Sequence, residues 1–427
     1  MRQIELAVIG AGQRGRAYAE YALKYPHEAR IVAVAEPDQA RRERFQALHH
    51  LAPEQCFADW QELLAQSGAG RPADAVLICT QDRMHFAPAI AALRAGYHVL
   101  LEKPMSPDPR ECIVMGESAE TYQRVFVICH VLRYTPFFIA IKKLLDEGTI
   151  GRLISIQHNE NVGYWHYGHS FVRGNWRNAS ESSPMILAKS CHDMDILLWL
   201  VGADCLTISS FGSLTHFRAE NAPAGAPLRC LDGCPVSDTC PWYAPRLYLT
   251  EHTGWPTAAI SVDTSLPARL KALQEGPYGR CVYHCDNDVV DHQVVNLEFA
   301  NEVTAVFTMS AFTHEISRTI KLMGTKGEIR GAMEKNEIEV FDFVTGNRHL
   351  LTVNPAGSLG GYAGHGGGDF GLMKDFVRLV RGEGKQAGRT SAAISVQSHL
   401  MAFAAEQARL HKTVINLQEF SRQVREQ

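Results

Sequence analysis

The chain is expected to be an α/β protein, with an N-terminal parallel, doubly wound sheet and a C-terminal α/β domain built on a large open, mainly antiparallel sheet. Three observations carry that expectation. Short apolar runs alternate with helical spacing until about residue 130, and longer strands of alternating polarity separated by turn residues follow. The length, 427 residues, exceeds one ordinary domain. The division is expected at 1–132 and 133–427, with a Cys-, Pro- and Gly-rich insertion at about 212–285.

The first element organises the rest. Ile4 to Gly15 reads IELAVIGAGQRG: a short apolar strand empties into Gly10-x-Gly12-x-x-Gly15, and a helically spaced segment follows. A dinucleotide-binding turn needs those glycines for a tight turn (Gly10), a close backbone approach to the pyrophosphate (Gly12) and close helix–strand packing (Gly15). Gln13 and Arg14 stand at the helix start, where unpaired N–H groups and the helix dipole attract an anion. A second strand, Arg30 to Ala35, ends at Glu36, the place from which an acid binds the ribose hydroxyls of NAD and repels a 2′-phosphate. The cofactor is therefore expected to be NAD.

Ala73 to Cys79 is a continuous apolar run, as in a strand buried on both faces, and it delivers Thr80 to the carboxyl edge where such sheets bind ligands. His85 opens the next helix, which stops at Gly96; the strand Tyr97 to Leu101 then delivers Glu102-Lys103-Pro104 to the same edge. Val125 to Cys129 is the sixth strand. Beyond Pro136 a helix precedes the long strand Leu153 to Val162, and Met185 to Val201 reads as one strongly periodic helix. Strands resume at Val289 to Phe299, Val303 to Ala311, Arg318 to Met323, Ile338 to Phe343 and Leu350 to Val353, and two helices, Asp369 to Arg381 and Ala392 to His411, close the chain.

The glycine turn, Glu102-Lys103-Pro104 after the fifth strand, His130-Val-Leu-Arg133-Tyr134 after the sixth, and a helix carrying His192 and Asp195 occur in that order. Together they resemble the Gfo/Idh/MocA oxidoreductases, named for glucose–fructose oxidoreductase and inositol dehydrogenase. The resemblance covers nearly the whole chain apart from about 212–285. It implies a Rossmann domain followed by an α/β domain whose open sheet commonly forms an oligomer interface, here a dimer or tetramer, and oxidation or reduction of a sugar or polyol hydroxyl with NAD. It also implies that Lys103 is the catalytic lysine, that His192 is the active-site histidine, and that Thr80, His85, Glu102 and Lys103 join the glycine turn in lining the cofactor. The chemistry supports a lysine at this edge: oxidising an alcohol requires a group to take the hydroxyl proton, and a cationic nicotinamide disfavours the charged form of a nearby lysine. In many polyol dehydrogenases of the family an aspartate stands four residues before the histidine. Here that residue is Ala188, and the adjacent Lys189 is expected to take a different catalytic role. Some proteins similar to this family instead cleave glycosides with NAD retained, through transient oxidation, elimination, water addition and re-reduction. A nucleotide-sensing protein that kept the fold and lost turnover is a third reading.

Asn161 to Asn178, NVGYWHYGHSFVRGNWRN, is expected to be a loop supplying the substrate cleft. Its aromatic faces suit the C–H faces of sugars, and its His and Arg side chains suit hydroxyls or carboxylates. Tyr164, Trp165, His166, His169, Arg173, Trp176 and Arg177 are the substrate candidates there, with Tyr134 and His192 from elsewhere; aromatics with Arg also mark protein interfaces. Asn287, Asp291, His292 and His365 are weaker candidates.

Of eleven cysteines, Cys56, Cys79, Cys112, Cys129, Cys191 and Cys205 are scattered. Cys230-x3-Cys234-x5-Cys240 and, forty residues on, Cys281-x3-Cys285 bracket the irregular segment, and four of these five are expected to hold a structural zinc. Iron–sulfur clusters also take thiolates, but these spacings match no ferredoxin run and hydride transfer needs no second redox centre.

A net charge of −4 with interspersed signs leaves no footprint for nucleic acid, and no apolar run approaches a membrane span. With no cleavable signal pattern at the N-terminus, a cytoplasmic location is expected.

Overall fold

The structure, a computed structural model, describes residues 2–66, 72–353, 364–383 and 388–426. The N-terminal sheet consists of β1 (Ile4–Ile9), β2 (Ala29–Ala35), β3 (Cys56–Phe57), β4 (Ala75–Ile78), β5 (His98–Leu101) and β6 (Phe126–Ile128), in the order β3-β2-β1-β4-β5-β6. Every neighbouring pair is parallel. All four residues of β4 are buried, because helices cover both faces of the sheet and leave the strand no polar side to show. The strand order reverses between β1 and β4, so the loops after these strands, the glycine turn and Thr80, face each other across the crevice where such sheets bind ligands.

The second sheet has nine strands: β7 (Leu153–Asn161), β8 (Cys205–Ser213), β9 (His292–Phe299), β10 (Thr304–Ser310), β11 (Ser317–Gly324), β12 (Gly327–Ala332), β13 (Glu337–Asp342), β14 (Arg348–Thr352) and β15 (Ile415–Asn416), ordered β14-β13-β12-β11-β7-β10-β9-β8-β15. Only β7 and β10 pair in parallel; the other neighbours are antiparallel. The expected large, open, mainly antiparallel sheet is therefore present. It is not a simple run of consecutive hairpins, since β7 enters its middle and β8 pairs with β9 across the insertion.

After β14 the chain returns to the first sheet. Helix Gly368–Val380 packs its Leu372, Met373, Phe376 and Val377 in one core with β1 and with helix Gln13–Lys24. Ile128 N–H then donates to Thr390 O at 2.8 Å.

Two elements depart from expectation in ways that shape the site. The periodic segment from Met185 is broken into Met185–Ala188 and Cys191–Val201, with Lys189 and Ser190 between. Asn161 to Asn178 is not a loop throughout: Tyr164–Tyr167 is a short α-helix running into a wide π-helical turn, Gly168–Arg173.

Among the described residues, no helix is long and apolar enough to cross a membrane.

Candidate active site

Gly10 adopts φ +90°, which only glycine takes without strain, and an added Cβ would lie 2.7 Å from Cys79 O. At Gly15 an added Cβ would lie 2.1 Å from Gly10 O, so helix and turn touch there with nothing to spare. Gly12 differs. An added Cβ meets no protein atom within 4 Å, so its missing side chain serves a space outside the fold. That opening at a helix N-terminus, with Glu36 beside it, fits a dinucleotide pyrophosphate. Glu36 is 4% exposed, accepts from Ala11 N–H at 2.8 Å and from Asp38 N–H at 3.1 Å, and so locks the end of β2 to the glycine turn.

Arg14 reaches across the turn. Its Nε lies 2.7 Å from Glu102 Oε1 and one Nη 2.5 Å from Asp369 Oδ1, so this cofactor candidate is held by two carboxylates. Burial alone pushes the Glu102 carboxyl up, but Arg14 and then Lys103 outweigh it and hold the group below the ordinary carboxylate range. An ionised Glu102 also accepts from Tyr18 OH at 2.7 Å and from Lys103 N–H at 2.8 Å, which fixes the backbone from which Lys103 projects. His85, 1% exposed, stands between Pro104 O (2.7 Å) and Thr80 O (3.1 Å) and joins the two edge loops.

The Lys103 side chain leaves the first sheet and donates from Nζ to Ala188 O at 2.8 Å. That carbonyl ends the short helix just before the break at Lys189 and Ser190. The interruption thus presents a backbone acceptor to Lys103 and turns Lys189 toward β7, where its Nζ lies 3.2 Å from Glu160 Oε1. Burial lowers the Lys189 pKa, Glu160 opposes that, and the positive charges of Arg318 and Lys103 add to the lowering. Glu160 also pairs with Arg318, which bonds Asp193 at 2.9 Å; His158 completes this buried network at 2.8 Å from Asp193.

His192 is 3% exposed and sits in the first turn after the break, its ring 5.7 Å from that of His130. His130 in turn lies 5.3 Å from His399, whose Nε2 accepts from Met105 N–H at 2.9 Å. A row of three buried histidines therefore runs from His192 through His130 to His399 at the Lys103-Pro104-Met105 turn, and His399 is the one sequence reasoning had not singled out. Burial lowers the pKa of His130 well below its ordinary value and brings His399 down to about 3, so both are neutral near pH 7. Asp195 does not accompany His192; Arg133 clamps it with two hydrogen bonds, at 2.6 and 2.7 Å.

The substrate candidates separate into two groups. His166 lies near Lys189, whose charge adds to the lowering of its pKa by burial, and Tyr164 lines a cavity with Trp165 and Trp255. The others make their polar contacts within the protein. Tyr134 is 6% exposed, with its hydroxyl 3.2 Å from Asp375 in the first-sheet core. His169 stacks on Tyr278 at 5.0 Å and bonds the Tyr248 hydroxyl at 2.7 Å. Arg173, 1% exposed, donates to Arg280 O and Trp242 O, both at 2.7 Å. Trp176 Nε1 donates to Asp82 at 3.2 Å, and Arg177 Nε bonds Asp286 at 2.9 Å. His169 and Arg173 thereby pack against the insertion, Trp176 reaches the first domain at Asp82, and Arg173 also lines a cavity beside Trp165 and Trp242. Asp291 likewise accepts from the backbone of Thr215 and His216, both at 2.8 Å, and from His292. Asn287 donates to Phe217 O at 3.2 Å, while the His365 side chain lies outside the described residues.

The zinc expectation is also corrected. Among the described residues, no group of three or more His, Cys, Asp or Glu side chains is arranged to hold a metal ion.

Residues 4–130 match the family model described as oxidoreductase family, NAD-binding Rossmann fold, and residues 138–330 match the GFO/IDH/MocA C-terminal domain. The Bacillus subtilis protein YteT, named only as an oxidoreductase, is 23% identical over 320 residues, covering 71% of each chain. Inositol 2-dehydrogenase 4 of Saccharopolyspora erythraea is 28% identical over 231 residues, 52% of this chain and 61% of that protein. The scyllo-inositol 2-dehydrogenase (NAD(+)) of Bacillus subtilis is 28% identical over 221 residues, 50% of this chain and 58% of its own, so under two thirds of these inositol dehydrogenases is spanned. In structure, a levoglucosan dehydrogenase in complex with NADH and levoglucosan superposes with a TM-score of 0.72 at 19% identity, covering 97% of this chain and all of that one.

Proposed function

Because the chain belongs to the GFO/IDH/MocA oxidoreductase family, we propose that it transfers hydride between NAD and a hydroxyl-bearing carbon of a sugar or sugar derivative, with Lys103 exchanging the hydroxyl proton. One observation carries the reading: Lys103 leaves the sheet edge shared with the glycine turn and reaches the helix break of the second domain at Ala188, so its amine lies between the nucleotide-binding half and the half that carries the substrate candidates. Gly10, Gly12, Gln13 and Gly15 hold the pyrophosphate, Glu36 the ribose, and Thr80 and Glu102 border the nicotinamide end. Arg14 keeps Glu102 ionised. Bound NAD supplies the hydride acceptor. Lys103 takes the alcohol proton and gives up its hydrogen bond to Ala188 O as it does so; His192, Lys189, Tyr164 and His166 orient the remaining hydroxyls. The acid at Glu36 supports NAD over NADP.

A second reading, net glycoside hydrolysis with NAD retained, is favoured by a cavity of about 400 Å³ lined by Tyr164, Trp165, Trp242, Arg246 and Trp255. The Trp255 ring lies 4.9 Å from His166, so the cavity adjoins the site and offers aromatic walls to a leaving group beyond the oxidised ring. One experiment separates the readings. Purified protein is incubated with NAD and inositols, free sugars, levoglucosan and aryl glycosides. NADH formed in proportion to a polyol or free sugar supports the dehydrogenase, aglycone released without net NADH supports the glycosidase, and neither product from any compound counts against both.

Self-association through the open sheet belongs to the same reading. Leu350 and Leu351 on the edge strand, with Phe343 at 61% and Val344 at 84% exposure, form an apolar margin suited to a second copy. Cytoplasmic residence is supported by eleven cysteines without a disulfide.

A further inference from the structure

Four of the five clustered cysteines do meet in space. Cys230, Cys234, Cys240 and Cys281 line one small cavity whose remaining walls are Arg173 and apolar or aromatic side chains, among them Pro223, Val236, Trp242 and Val282. The two segments that supply them are clamped side by side: Arg229 and Arg280 form an antiparallel bridge, Cys230 N–H donates to Gly279 O and Cys281 N–H donates to Leu228 O, both at 2.9 Å. Cys285 is excluded, because its thiol turns back to Cys281 O at 3.3 Å.

Arg173 is the second, independent observation. It is 1% exposed and bonds carbonyl oxygens, the Tyr248 side chain and, at 3.6 Å, Cys230 Sγ; among the described residues no carboxylate pairs with it. A buried guanidinium without a counter-anion is costly, and the cavity wall holds no carboxylate; its acidic groups are the four thiols and the phenols of Tyr243 and Tyr283. The insertion also needs a staple, since among the described residues the core it forms for itself is a small cluster of four buried side chains, Cys230, Ala244, Tyr248 and Leu273.

We infer that Cys230, Cys234, Cys240 and Cys281 bind an iron–sulfur cluster as thiolates, with Arg173 as its buried counter-cation and the fastening of the insertion as its role. Four sulfurs line a common space rather than closing on a single point, the arrangement a cluster uses. A cluster spreads its terminal thiolates over separate irons, and the complex keeps a net negative charge beside Arg173. Ferredoxin spacing is no obstacle, because the bridge between Arg229 and Arg280, rather than a single run of sequence, sets where the fourth sulfur stands. The cluster takes no electron from the hydride reaction.

The test is metal and sulfide analysis of untagged full-length protein purified under anaerobic conditions, with its visible spectrum. The expected result is about four irons and about four acid-labile sulfides per chain, with a broad visible absorbance. Cys285→Ser is expected to keep that content, and Cys234→Ser or Cys240→Ser to lose most of it with a lower Tm. Because a ligand variant can fail to fold, the wild-type chain and Cys285→Ser are decisive by themselves. One zinc per chain without iron, or a colourless protein after anaerobic reconstitution with ferrous iron and sulfide, overturns the inference, as does loss of iron in soluble Cys285→Ser.

Discussion

Lys103 and Gly12 carry the account at the level of single residues, and each makes a prediction with a sharp sign. Lys103→Ala removes the proton acceptor without touching the glycine turn. It is expected to lower kcat by about 10²- to 10⁴-fold while the NAD affinity read by fluorescence titration stays unchanged. Loss of NAD affinity with kcat intact would place the residue outside the chemistry. Lys103 was legible because a buried strand delivers it directly to the ligand-binding edge, so local pattern settles its position. Arg173, His169, Trp176 and Arg177 were not. Their residue types suit a sugar cleft, but their partners Arg280, Tyr248, Asp82 and Asp286 stand about eighty to over a hundred residues away in sequence, and only the folded insertion shows that these polar groups are already satisfied. Tyr134 is a similar case, its hydroxyl being turned to Asp375 on a helix that returns from the far end of the chain.

At the scale of elements, the glycine turn separates stability from binding. Gly15→Ala forces a Cβ to 2.1 Å from Gly10 O, so the helix must lift from the strand; thermal unfolding is expected to shift down by several degrees, with the cost on the order of 1–3 kcal/mol. Gly12→Ala meets no protein atom and is expected to leave the Tm unchanged and to weaken NAD binding at least tenfold, about 1.4 kcal/mol. Equal effects of the two substitutions on both readouts would contradict the assignment of Gly12 to the cofactor. The strand–turn–helix signature and Glu36 were readable because they are contiguous. The break at Lys189 and Ser190 was not, since apolar periodicity runs straight through it and the feature that matters, a carbonyl turned to Lys103, belongs to the backbone. β12 escaped for want of apolar residues: its GEIRGA has one large apolar side chain between two glycines, and it is a strand because β11 and β13 pair on either side.

For the whole molecule, the buried histidines predict how stability responds to acid. His130, His169 and His399 are at most 3% exposed, and burial holds each neutral in the fold, with His169 and His399 brought down to about 3 and His130 well below its ordinary value. Unfolded, each takes up a proton near pH 6.5. Between those values the unfolded chain binds more protons than the native one, so the stability they contribute is present above pH 6.5 and is lost as pH falls toward 4, by up to about 4 kcal/mol per pH unit for the three together. Urea midpoints at pH 7, 6 and 5 check this; a flat profile would mean that the histidines are charged or exposed in the native state. The two-sheet plan itself was visible in the change from alternating β and α units to long strands, whereas the order of the second sheet and the return of helix Gly368–Val380 to the first depend on long-range contacts that no local pattern records.

All three scales meet in the placement of the Lys103 amine between a dinucleotide and a polyol. A crystal structure with NADH and a turned-over sugar or inositol tests this most directly. The account predicts the pyrophosphate against Gly12, Glu36 on the adenosine ribose, and Lys103 Nζ moved from Ala188 O to within about 3 Å of the substrate oxygen on the carbon facing the nicotinamide. An amine that remains on Ala188 O, remote from both ligands, would contradict it.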